Sequence, residues 1–386
     1  MNIGINGYEA VVPRFGYNKQ GLPNRVGSSE FCYQLLVHLS KIDKSNNYFI
    51  YLPQNPTPDM PSETENWKYK IIRAKKAWTL TSLSFELLKK QSKIDVFFSP
   101  THYLPISAPA KSVISILDVS YLHFPNLFAK KDLYQLKLWG GFSIKRAKKI
   151  LTISSSSKND IIKGYGLPSE KVAVVYPGIK KISNIKYPSN SAGRQISNMD
   201  ELQKKFGIEG KFILFVGTLQ PRKNIVRLIE AFAKLKRNDL DLVIIGKKGW
   251  QYEEILAAPE KFGVGDRVKF LDSVSNEELP SFYQHAQFFI LPSLYEGFGL
   301  PVLEAMNYGC PVITSDVSSL PEAGGDAALY VDPKNVQDIY EKMKKLLSDD
   351  DLKKELIEKG YKQAKKFSWE KSARQTLAVL EEVAKT

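Results

Sequence analysis

The chain has 386 residues, enough for two domains of ordinary size that each bury a core. Hydrophobic residues make up 43% and charged residues 25%, and no run approaches the roughly 18 apolar residues of a membrane span, so the composition is that of a soluble globular protein. The first eight residues lack the features of a secretory signal, and two distant cysteines, Cys32 and Cys310, suit a reducing cytoplasm.

The formal net charge of +14 comes entirely from the first half of the chain. Residues 1–185 contain 26 Lys or Arg against 12 Asp or Glu, whereas residues 186–386 contain 29 of each. Segments such as RAKKAW, FAKKDLYQLK and SIKRAKK have the pattern of basic faces. Three interpretations stay open: a solvated helix face, a surface for anionic lipid head groups, or a nucleic-acid surface. Nucleic acid is the least favoured because no binding motif accompanies the charge.

Short apolar strands alternate with helical patterns in the first half. Asn2–Asn6 is the first predicted strand, and residues 28–40 form a predicted helix after a long polar loop. Further strands are predicted at NYFIYLP, KYKIIRA, VFFSP, SVISILD, KKILTIS and VAVVYPGIKK, with helical patterns around residues 80–90 and 132–148 and a Ser-capped helix start in TISSSSKNDI. This alternation predicts a doubly wound parallel sheet, whose ligands bind beyond the carboxyl ends of the strands.

The polar stretch over residues 180–200 has no apolar periodicity and reads as an interdomain linker with an insertion. A second alternating region opens with the strand KFILFVG, whose following loop, residues 218–224, leads into an amphipathic helix. Arg222 and Lys223 therefore stand at the carboxyl end of a strand. Two cations there suit a diphosphate, although they could also be solvated charges.

A further strand is predicted in DLVIIGKKGW, and the segment VKFLDSVSNEELPSFYQHA predicts another strand and a helix. Residues 335–366 form a charged helical region with an apolar stripe, which Phe367-Ser368-Trp369 interrupts before a last amphipathic helix.

The segment LPSLYEGFGLPVLEAMNYGCPVIT, residues 291–314, has the clearest functional pattern. Two buried strands flank a loop that enters a short helix at residues 300–308. Gly297 and Gly299 allow the backbone to approach a ligand, and the helix start offers N–H groups to a phosphate. Glu296 and Glu304 frame this loop and could point into one cleft. Alternatively, one glutamate stabilises the helix dipole and the other is solvated.

The segment EGFGLPVLEAMNYGCPVITS resembles the E-x(7)-E signature of the retaining glycosyltransferases of family four. The resemblance extends to FVGTLQPRKNIVRLIEAF upstream and SSLPEAGGDAALYVDP downstream, so it covers residues 211–333, with looser matches before them. It implies the GT-B fold, in which two doubly wound α/β domains face each other across a cleft. The domains would span residues 1–185 on the acceptor side and 186–367 on the nucleotide-sugar side, with residues 368–386 returning to the first.

The resemblance also implies roles for residues of the first domain. Gly27, in VGSSEFCYQLL, would lie near the donor diphosphate, and a helix cap is nearly as good an interpretation. Asp118 would be catalytic, or would only satisfy loop amides at a strand end. The family commonly has His-Asp here, whereas this chain has Leu117, so the histidine's hydrogen bond to the sugar would be missing or come from elsewhere. His102 and His123 are weakly supported candidates.

In the second domain, the resemblance implies that Arg222 and Lys223 bind the donor phosphates. Many family members have an arginine where this chain has Thr218, so Arg222 is the expected substitute. Backbone amides would complete the phosphate site. These amides belong to Gly297, Phe298, Gly299 and Leu300.

Four further residues complete the implied donor site. Glu296, as the main catalytic residue, would orient the hydroxyls of the transferred sugar, and Glu304 would bind the ribose. The loop that contains Asp272 and Val274 would hold the base, where an aspartate could accept from guanine or be solvated. No metal or other cofactor is expected, because Arg222, Lys223 and the helix-start amides would supply the positive charge that the diphosphate needs.

The function expected from the sequence is transfer of a hexosyl group, with retention, to a glycan or lipid-linked glycan. The donor would be a nucleotide sugar, with GDP-mannose favoured over a UDP-sugar because GTLQPRKN resembles mannosyl-transferring members. The chain would act in the cytoplasm. A further expected location is the inner membrane face, where its basic first domain would meet anionic lipid. Alternatives are a GT-B nucleotide-sugar epimerase and an inactive nucleotide-sugar-binding scaffold.

Overall fold

The computed structural model of the chain describes residues 1–12, 16–18, 21–73, 77–89, 94–179, 199–272, 274–275 and 277–386. The chain forms two compact units: Met1–Gly178 together with Phe367–Thr386, and Ile179–Lys366. The predicted linker lies outside the described residues as far as residue 198, and a helix begins at Met199.

The first unit contains a parallel sheet of seven strands. The strands are β1 (Asn2–Asn6), β2 (Asn47–Leu52), β3 (Trp67–Ile71), β4 (Val96–Ser99), β5 (Ser112–Ser115), β6 (Lys149–Thr152) and β7 (Val172–Val174). They lie in the order β3-β2-β1-β4-β5-β6-β7, and every neighbouring pair is parallel. This is the doubly wound order, so the alternation of strands and helices in the sequence predicted the sheet correctly.

Helices cover this sheet. They are α1 (Tyr8–Val11), α2 (Ser28–Ile42), α3 (Ser82–Lys89), α4 (Ser120–His123), α5 (Lys130–Gln135), α6 (Gly141–Arg146) and α7 (Ser155–Tyr165). A π-helical segment, Leu136–Gly140, joins α5 to α6 without a break. The predicted Ser-rich cap is confirmed, because the Ser154 side chain accepts a hydrogen bond from the backbone N–H of Ser157 at the start of α7. The polar loop after β1 differs from the prediction in containing the short helix α1.

The second unit contains a parallel sheet of six strands. The strands are β8 (Lys211–Val216), β9 (Leu240–Ile245), β10 (Val268–Leu271), β11 (Phe289–Leu291), β12 (Val312–Ser315) and β13 (Ala328–Val331), in the order β10-β9-β8-β11-β12-β13. The helices are α8 (Met199–Phe206), α9 (Ile225–Lys234), α10 (Glu253–Lys261), α11 (Leu279–His285), α12 (Leu300–Asn307), α13 (Leu320–Gly324), α14 (Val336–Ser348) and α15 (Asp350–Ala364). The charged region after β13 is two helices because Asp349 caps the second, accepting from the N–H of Leu352.

The last helix, α16 (Trp369–Lys385), packs on the first unit. Its apolar side chains share a core with α2, and the rings of Trp369 and Phe31 meet edge to face at 5.8 Å. Gly178 makes the chain crossing possible, since a Cβ atom there would lie 2.0 Å from the backbone nitrogen of Trp369. The first unit is therefore completed by the C-terminal end of the chain.

In both sheets the direction of winding reverses between two adjacent strands. These strands are β1 and β4 in the first unit and β8 and β11 in the second. Loops that leave the carboxyl ends of such a strand pair diverge to opposite faces of the sheet and leave a crevice between them, which is where doubly wound proteins bind ligands.

Candidate active site

The turn after β8 is tied to the loop after β11. Residues Pro221–Lys223 form a 3-10 turn that ends at Asn224, which has a left-handed backbone with φ of 61°. The Asn224 side-chain amide donates to the carbonyl oxygens of Pro292 at 2.9 Å and Pro333 at 2.6 Å. The Leu294 N–H also donates to the carbonyl oxygen of Arg222 at 2.9 Å. The two loops beside the winding reversal are therefore held in a fixed relation.

This arrangement places Glu296 against both predicted cations. Its Oε1 atom accepts from Lys223 Nζ at 2.5 Å and from Ser293 Oγ at 2.7 Å, and its Oε2 atom accepts from Arg222 Nη1 at 3.0 Å. Arg222 Nη1 also donates to the carbonyl oxygen of Tyr295 at 2.5 Å. Glu296 is only 7% exposed and Lys223 8%, so these are buried charge-assisted hydrogen bonds.

The pKa of the Glu296 carboxyl is lowered to about 2 from its ordinary value of 4.5. Burial alone would raise this pKa, but the positive charges of Lys223 and Arg222 outweigh it, and hydrogen bonds from Lys223 and Ser293 lower it further. Glu296 is therefore a carboxylate at any physiological pH.

Two serines hold the backbone of Glu296. Its N–H donates to Ser318 Oγ at 3.0 Å, and its carbonyl oxygen accepts from Ser319 Oγ at 2.8 Å. Ser318 has a left-handed backbone with φ of 55° in the loop before α13. Hydrogen bonds from its own loop, from the turn after β8 and from the loop after β12 thus hold the carboxylate in place, as a preorganised site requires.

The residues after Glu296 form a tight entry into α12. Gly299 lies at the N-cap with φ of 103°, and a Cβ atom there would lie 2.8 Å from Leu320 Cδ2, so both conformation and space require glycine. The predicted phosphate-binding residues Gly297 and Phe298 are buried, and Leu300 is half-buried. Pro301 has no N–H, so the amides available to a phosphate at this helix start come from residues up to Leu300.

Glu304 lies in the second turn of α12 and contacts a tyrosine that the sequence did not single out. Tyr283 Oη donates to Glu304 Oε2 at 3.1 Å, and the Tyr283 ring stacks on Tyr308 with an interplanar angle of 7°. Burial and the Glu304 charge raise the pKa of Tyr283 well above its ordinary value, so it stays protonated and donates. Tyr283 thereby orients the carboxylate predicted to bind the ribose.

The two site residues predicted in the first unit lie at helix starts. Gly27 occupies the N-cap position of α2, where it has φ of 55° and the Phe31 N–H donates to its carbonyl oxygen. Asp118 Oδ1 accepts from the N–H of Ser120 at 2.9 Å and from Ser120 Oγ at 2.7 Å, at the first residue of α4. Leu117 is buried in the core of this unit. These contacts match the helix-cap interpretation of Gly27 and the interpretation of Asp118 as a residue that satisfies loop amides, and they leave the predicted ligand roles of both residues untested.

The remaining predicted residues are dispersed. His123 pairs with Asp160 at 3.1 Å, and the His102 ring packs near Tyr103 with centroids 6.4 Å apart. Asp272 is exposed after β10 and Val274 is half-buried, while Ser273 between them is outside the described residues.

Sequence reasoning missed Ser293, Tyr283 and the anchoring role of Asn224. An Asn immediately before a helical pattern is a signal for a left-handed cap and could have identified Asn224. Tyr283 lies 21 residues before its partner, and no local pattern links the two.

The described residues contain neither a candidate metal site nor a candidate membrane-spanning helix. No group of three or more His, Cys, Asp or Glu side chains in these parts of the chain could hold a metal ion. None of the helices in the described ranges is both long enough and apolar enough to cross a membrane.

Two family models match the chain. Residues 198–363 match the model described as glycosyl transferases group 1, and residues 52–181 match that of glycosyltransferase family 4. The chain is 31% identical over 313 residues to the O-antigen chain mannosyltransferase B of Escherichia coli, covering 80% of this chain and 78% of that protein.

A second relative is much longer than this chain. The serotype-specific mannosyltransferase WbdA of Escherichia coli is 32% identical over 259 residues, which are 66% of this chain and 30% of WbdA. Among solved structures, Alr3699/HepE of Anabaena, crystallised with UDP and glucose, matches with a TM-score of 0.70 and 17% identity over 99% of this chain and 100% of that one. These matches confirm the GT-B fold of two Rossmann-like domains.

Proposed function

Because the chain belongs to the family 4, or group 1, glycosyltransferases, we propose that it transfers a hexosyl group from a nucleotide-diphosphate sugar with retention of anomeric configuration and without a metal ion. The observation that carries this proposal is the buried cluster of Glu296, Lys223 and Arg222 beside the winding reversal of the second sheet. We name this group the carboxylate–cation cluster.

The cations of this cluster suit the donor diphosphate. Arg222 presents a planar fork of donors and Lys223 a compact positive charge, and both groups bind phosphate oxygens well. Glu296 offsets one of their two positive charges. A bound diphosphate would share the cations with Glu296, and the helix-start amides would donate to its remaining oxygens, so a divalent ion would not be required.

The same cluster suits the charge that develops during transfer. Breaking the bond between the anomeric carbon and the phosphate oxygen leaves positive charge on the sugar and negative charge on the departing diphosphate. Fixed cations and the amides of the Gly297–Leu300 segment stabilise the second charge, and the Glu296 carboxylate stabilises the first and orients sugar hydroxyls. Preorganised charges of this kind act on the transition state more than on the bound donor.

The hydrogen bonds to Glu296 favour one of two routes to retention. A carboxylate that accepts from Lys223, Arg222 and Ser293, with a pKa of about 2, is a weak nucleophile and a poor general base. We therefore favour attack by the acceptor hydroxyl on the face that the diphosphate leaves, with a diphosphate oxygen taking the hydroxyl proton.

GDP-mannose is the donor that we propose first. Two mannosyltransferases are among the relatives, and Asp272, after β10, could accept from the N–H groups of guanine. A UDP-sugar is the second candidate, since the structurally similar Anabaena protein was crystallised with UDP. Gly27 and Asp118 of the first unit are proposed to contact the diphosphate and the sugar, respectively.

The acceptor that we propose is a glycan or lipid-linked glycan, used on the cytoplasmic side of an anionic membrane. Support comes from the E. coli relative, which is named for the O-antigen chain, and from the positive charge of the first 185 residues. Nucleic acid is not proposed as a partner.

Calorimetric titration with GDP, UDP, GDP-mannose and UDP-glucose tests the cluster. Replacing Arg222→Ala and Lys223→Ala together should weaken nucleotide-diphosphate binding at least about 10- to 100-fold, because each charge-assisted hydrogen bond contributes about 1.5–3 kcal/mol. The matched control is Lys344→Ala with Lys345→Ala, which removes the same charge from the exposed surface of α14 and should leave binding unchanged.

Three outcomes would contradict the proposal. Unchanged nucleotide binding in the Arg222/Lys223 variant would place the diphosphate elsewhere. Conversion of the donor sugar to its epimer without acceptor, followed by NMR, would indicate an epimerase. Loss of wild-type transfer on EDTA treatment, restored by a divalent ion, would exclude metal-independent transfer.

A further inference from the structure

A row of apolar side chains lies exposed on the helix formed by α5, the π-helical segment and α6. Tyr134, Leu138 and Phe142 follow one another at intervals of four residues, which places them on one side of the helix. Tyr134 is 67% exposed and Leu138 46%, whereas Leu133 and Leu136 pack against the core and Ile144 is fully buried. The helix therefore has an apolar outer face in addition to the apolar inner face that the fold needs.

Two neighbouring segments extend this outer face. The loop at residues 104–108 is hydrogen-bonded to α3 through the Ile106 N–H and Ser84 Oγ at 2.8 Å. It is bonded to α6 through the Leu104 N–H and Ser143 Oγ at 2.9 Å. Next to these contacts, Phe85 of α3 is 65% exposed and Ile106 48%. We call Phe85, Leu88, Ile106, Tyr134, Leu138 and Phe142 the outer apolar face.

Positive charge lies beside the part of the outer apolar face that the helix provides. Six Lys or Arg side chains between residues 130 and 148 are exposed, against one exposed acidic side chain, that of Asp132. An open cavity of about 440 Å³ lies between Lys137 and Lys145 and is also lined by Leu138, Phe142 and Tyr165. Several large apolar side chains exposed beside cations are uncommon on a protein that stays in water, and they mark an interaction site.

We propose that the outer apolar face is an interfacial membrane-docking surface for bilayers that contain anionic lipid. The three side chains of the helix would enter the boundary between head groups and acyl chains, while the lysines and Arg146 pair with lipid phosphates. The cavity between Lys137 and Lys145 can take a phosphate head group. This proposal deepens the proposed function, since it would deliver the enzyme to a lipid-linked acceptor.

The charge makes lipid a better occupant than a second copy of the chain. In a symmetric dimer each copy presents the same surface, so the six cations around one face would oppose those around the other. Lysine is also depleted at the centres of protein interfaces. An anionic bilayer removes this repulsion and accepts the apolar side chains.

Co-sedimentation with vesicles tests the proposal without donor or acceptor. The wild-type chain should pellet with phosphatidylcholine vesicles that contain 30% phosphatidylglycerol, and binding should weaken at high salt because the attraction between charges is screened. Replacing Tyr134, Leu138 and Phe142 by Ser should reduce the partition coefficient more than about tenfold. Replacing Lys137, Lys145 and Lys148 by Gln should also reduce it.

A matched control separates local charge from net charge. Lys344, Lys345 and Lys362 are exposed in the second unit, and their replacement by Gln changes the net charge by the same amount. This control should bind vesicles like the wild type. Equal losses in the two Gln variants would mean that lipid senses only the overall charge, which would overturn the assignment of the surface.

A fluorophore can report insertion directly. The chain has two cysteines, and both are buried, so an environment-sensitive dye can label Leu138→Cys alone. Its emission should shift to the blue with anionic vesicles, while the same dye at Lys344→Cys should not shift. No shift at Leu138, or no binding of the wild type at low salt, would overturn the proposal.

Experiments would also detect two other possible partners of the outer apolar face. If light scattering showed a dimer without lipid that the Ser variant made monomeric, the face would be a self-association surface. If only an acidic protein bound it and vesicles did not, it would be a protein-docking site. Transfer to a short water-soluble acceptor should persist in the Ser variant, whereas failure of the proposed function would abolish transfer in the wild type too.

Discussion

The two sheets wind in the same order but place different chemistry at the point of reversal. In the second unit, the loops after β8 and β11 bring Lys223 Nζ to 2.5 Å from Glu296 Oε1. In the first unit, the corresponding strands β1 and β4 end at Asn6 and Ser99, and Asn6 Nδ2 donates to Ser99 Oγ at 3.1 Å. Strand order thus provides the place for a ligand, whereas the residue types decide whether that place is charged.

The two halves of the chain also differ in how much net charge they carry and in whether that charge is exposed. The first 185 residues carry all of the net positive charge, yet much of it is exposed on helices, and the two residues paired at the reversal, Asn6 and Ser99, are uncharged. The second half has no net charge but pairs a buried lysine and a partly buried arginine with one buried carboxylate. Exposed charges attract a surface of opposite charge, whereas buried charges bind a charged ligand in a fixed position.

Replacing Glu296→Gln should have the largest effect. Turnover should fall about 10²- to 10³-fold, as when a preorganised electrostatic group is lost, because the amide keeps the shape but not the negative charge. Nucleotide-diphosphate binding should persist, since Arg222 and Lys223 remain. Steady-state transfer and calorimetry on the same preparation measure the two effects, and Glu358→Gln on the exposed face of α15 is the control. Normal turnover in the Glu296 variant would remove the catalytic assignment.

The pH dependence of stability provides an independent check on Glu296. Its pKa in the folded chain is about 2, below the ordinary value of 4.5. The stabilisation that follows from this difference is complete above pH 4.5 and is lost as the pH falls towards 2. Thermal unfolding at pH 6, 4 and 3 should therefore show the wild type losing more stability than Glu296→Gln over this range. Parallel curves would mean that the carboxylate is not paired in the folded chain.

Asn224→Ala should cost about 2–3 kcal/mol of unfolding free energy, measured by urea denaturation. The substitution removes two hydrogen bonds, to Pro292 and Pro333, and puts a Cβ-bearing residue without a polar side chain in a left-handed conformation. Asn224→Gly relieves the backbone strain but not the lost bonds, so it should recover about 1 kcal/mol. Equal stability of the Ala variant and the wild type would show that the loops are not held by this side chain.

The sequence predicted the two parallel sheets because strand and helix periodicities are local. It also selected Arg222, Lys223 and Glu296, since strand ends and glycine-flanked helix starts are recognisable in a short window. It did not predict that the cations contact Glu296 itself, because Lys223 and Glu296 are 73 positions apart and are brought together only by the order of strands.

Residues that orient the site were the hardest to predict. Ser293, Ser318 and Tyr283 look like ordinary loop or core residues in the sequence, and their roles depend on long-range contacts. Conversely, Asp118 and Gly27 were selected through the family resemblance. The structure gives each a local contact at a helix start, which a ligand role would have to accompany.

Asp118→Asn gives the smallest predicted effect and tests whether the first unit contributes a charged group. Asp118 Oδ1 accepts both hydrogen bonds from Ser120, and an asparagine oxygen can accept them equally well, so unfolding free energy should stay within about 0.5 kcal/mol. Turnover should nevertheless fall about tenfold, because a hydrogen bond between one carboxylate oxygen and a sugar hydroxyl contributes about 1.5–3 kcal/mol.

Asp118→Ala is the companion variant, which also loses the hydrogen bonds from Ser120 and should be less stable by about 1 kcal/mol. Transfer rates and urea midpoints of the two variants separate the roles. If Asp118→Asn retains full turnover and only Asp118→Ala is impaired, Asp118 only holds the backbone at the start of α4. The charged chemistry would then belong to the second unit alone, and the difference between the two sheets would be complete.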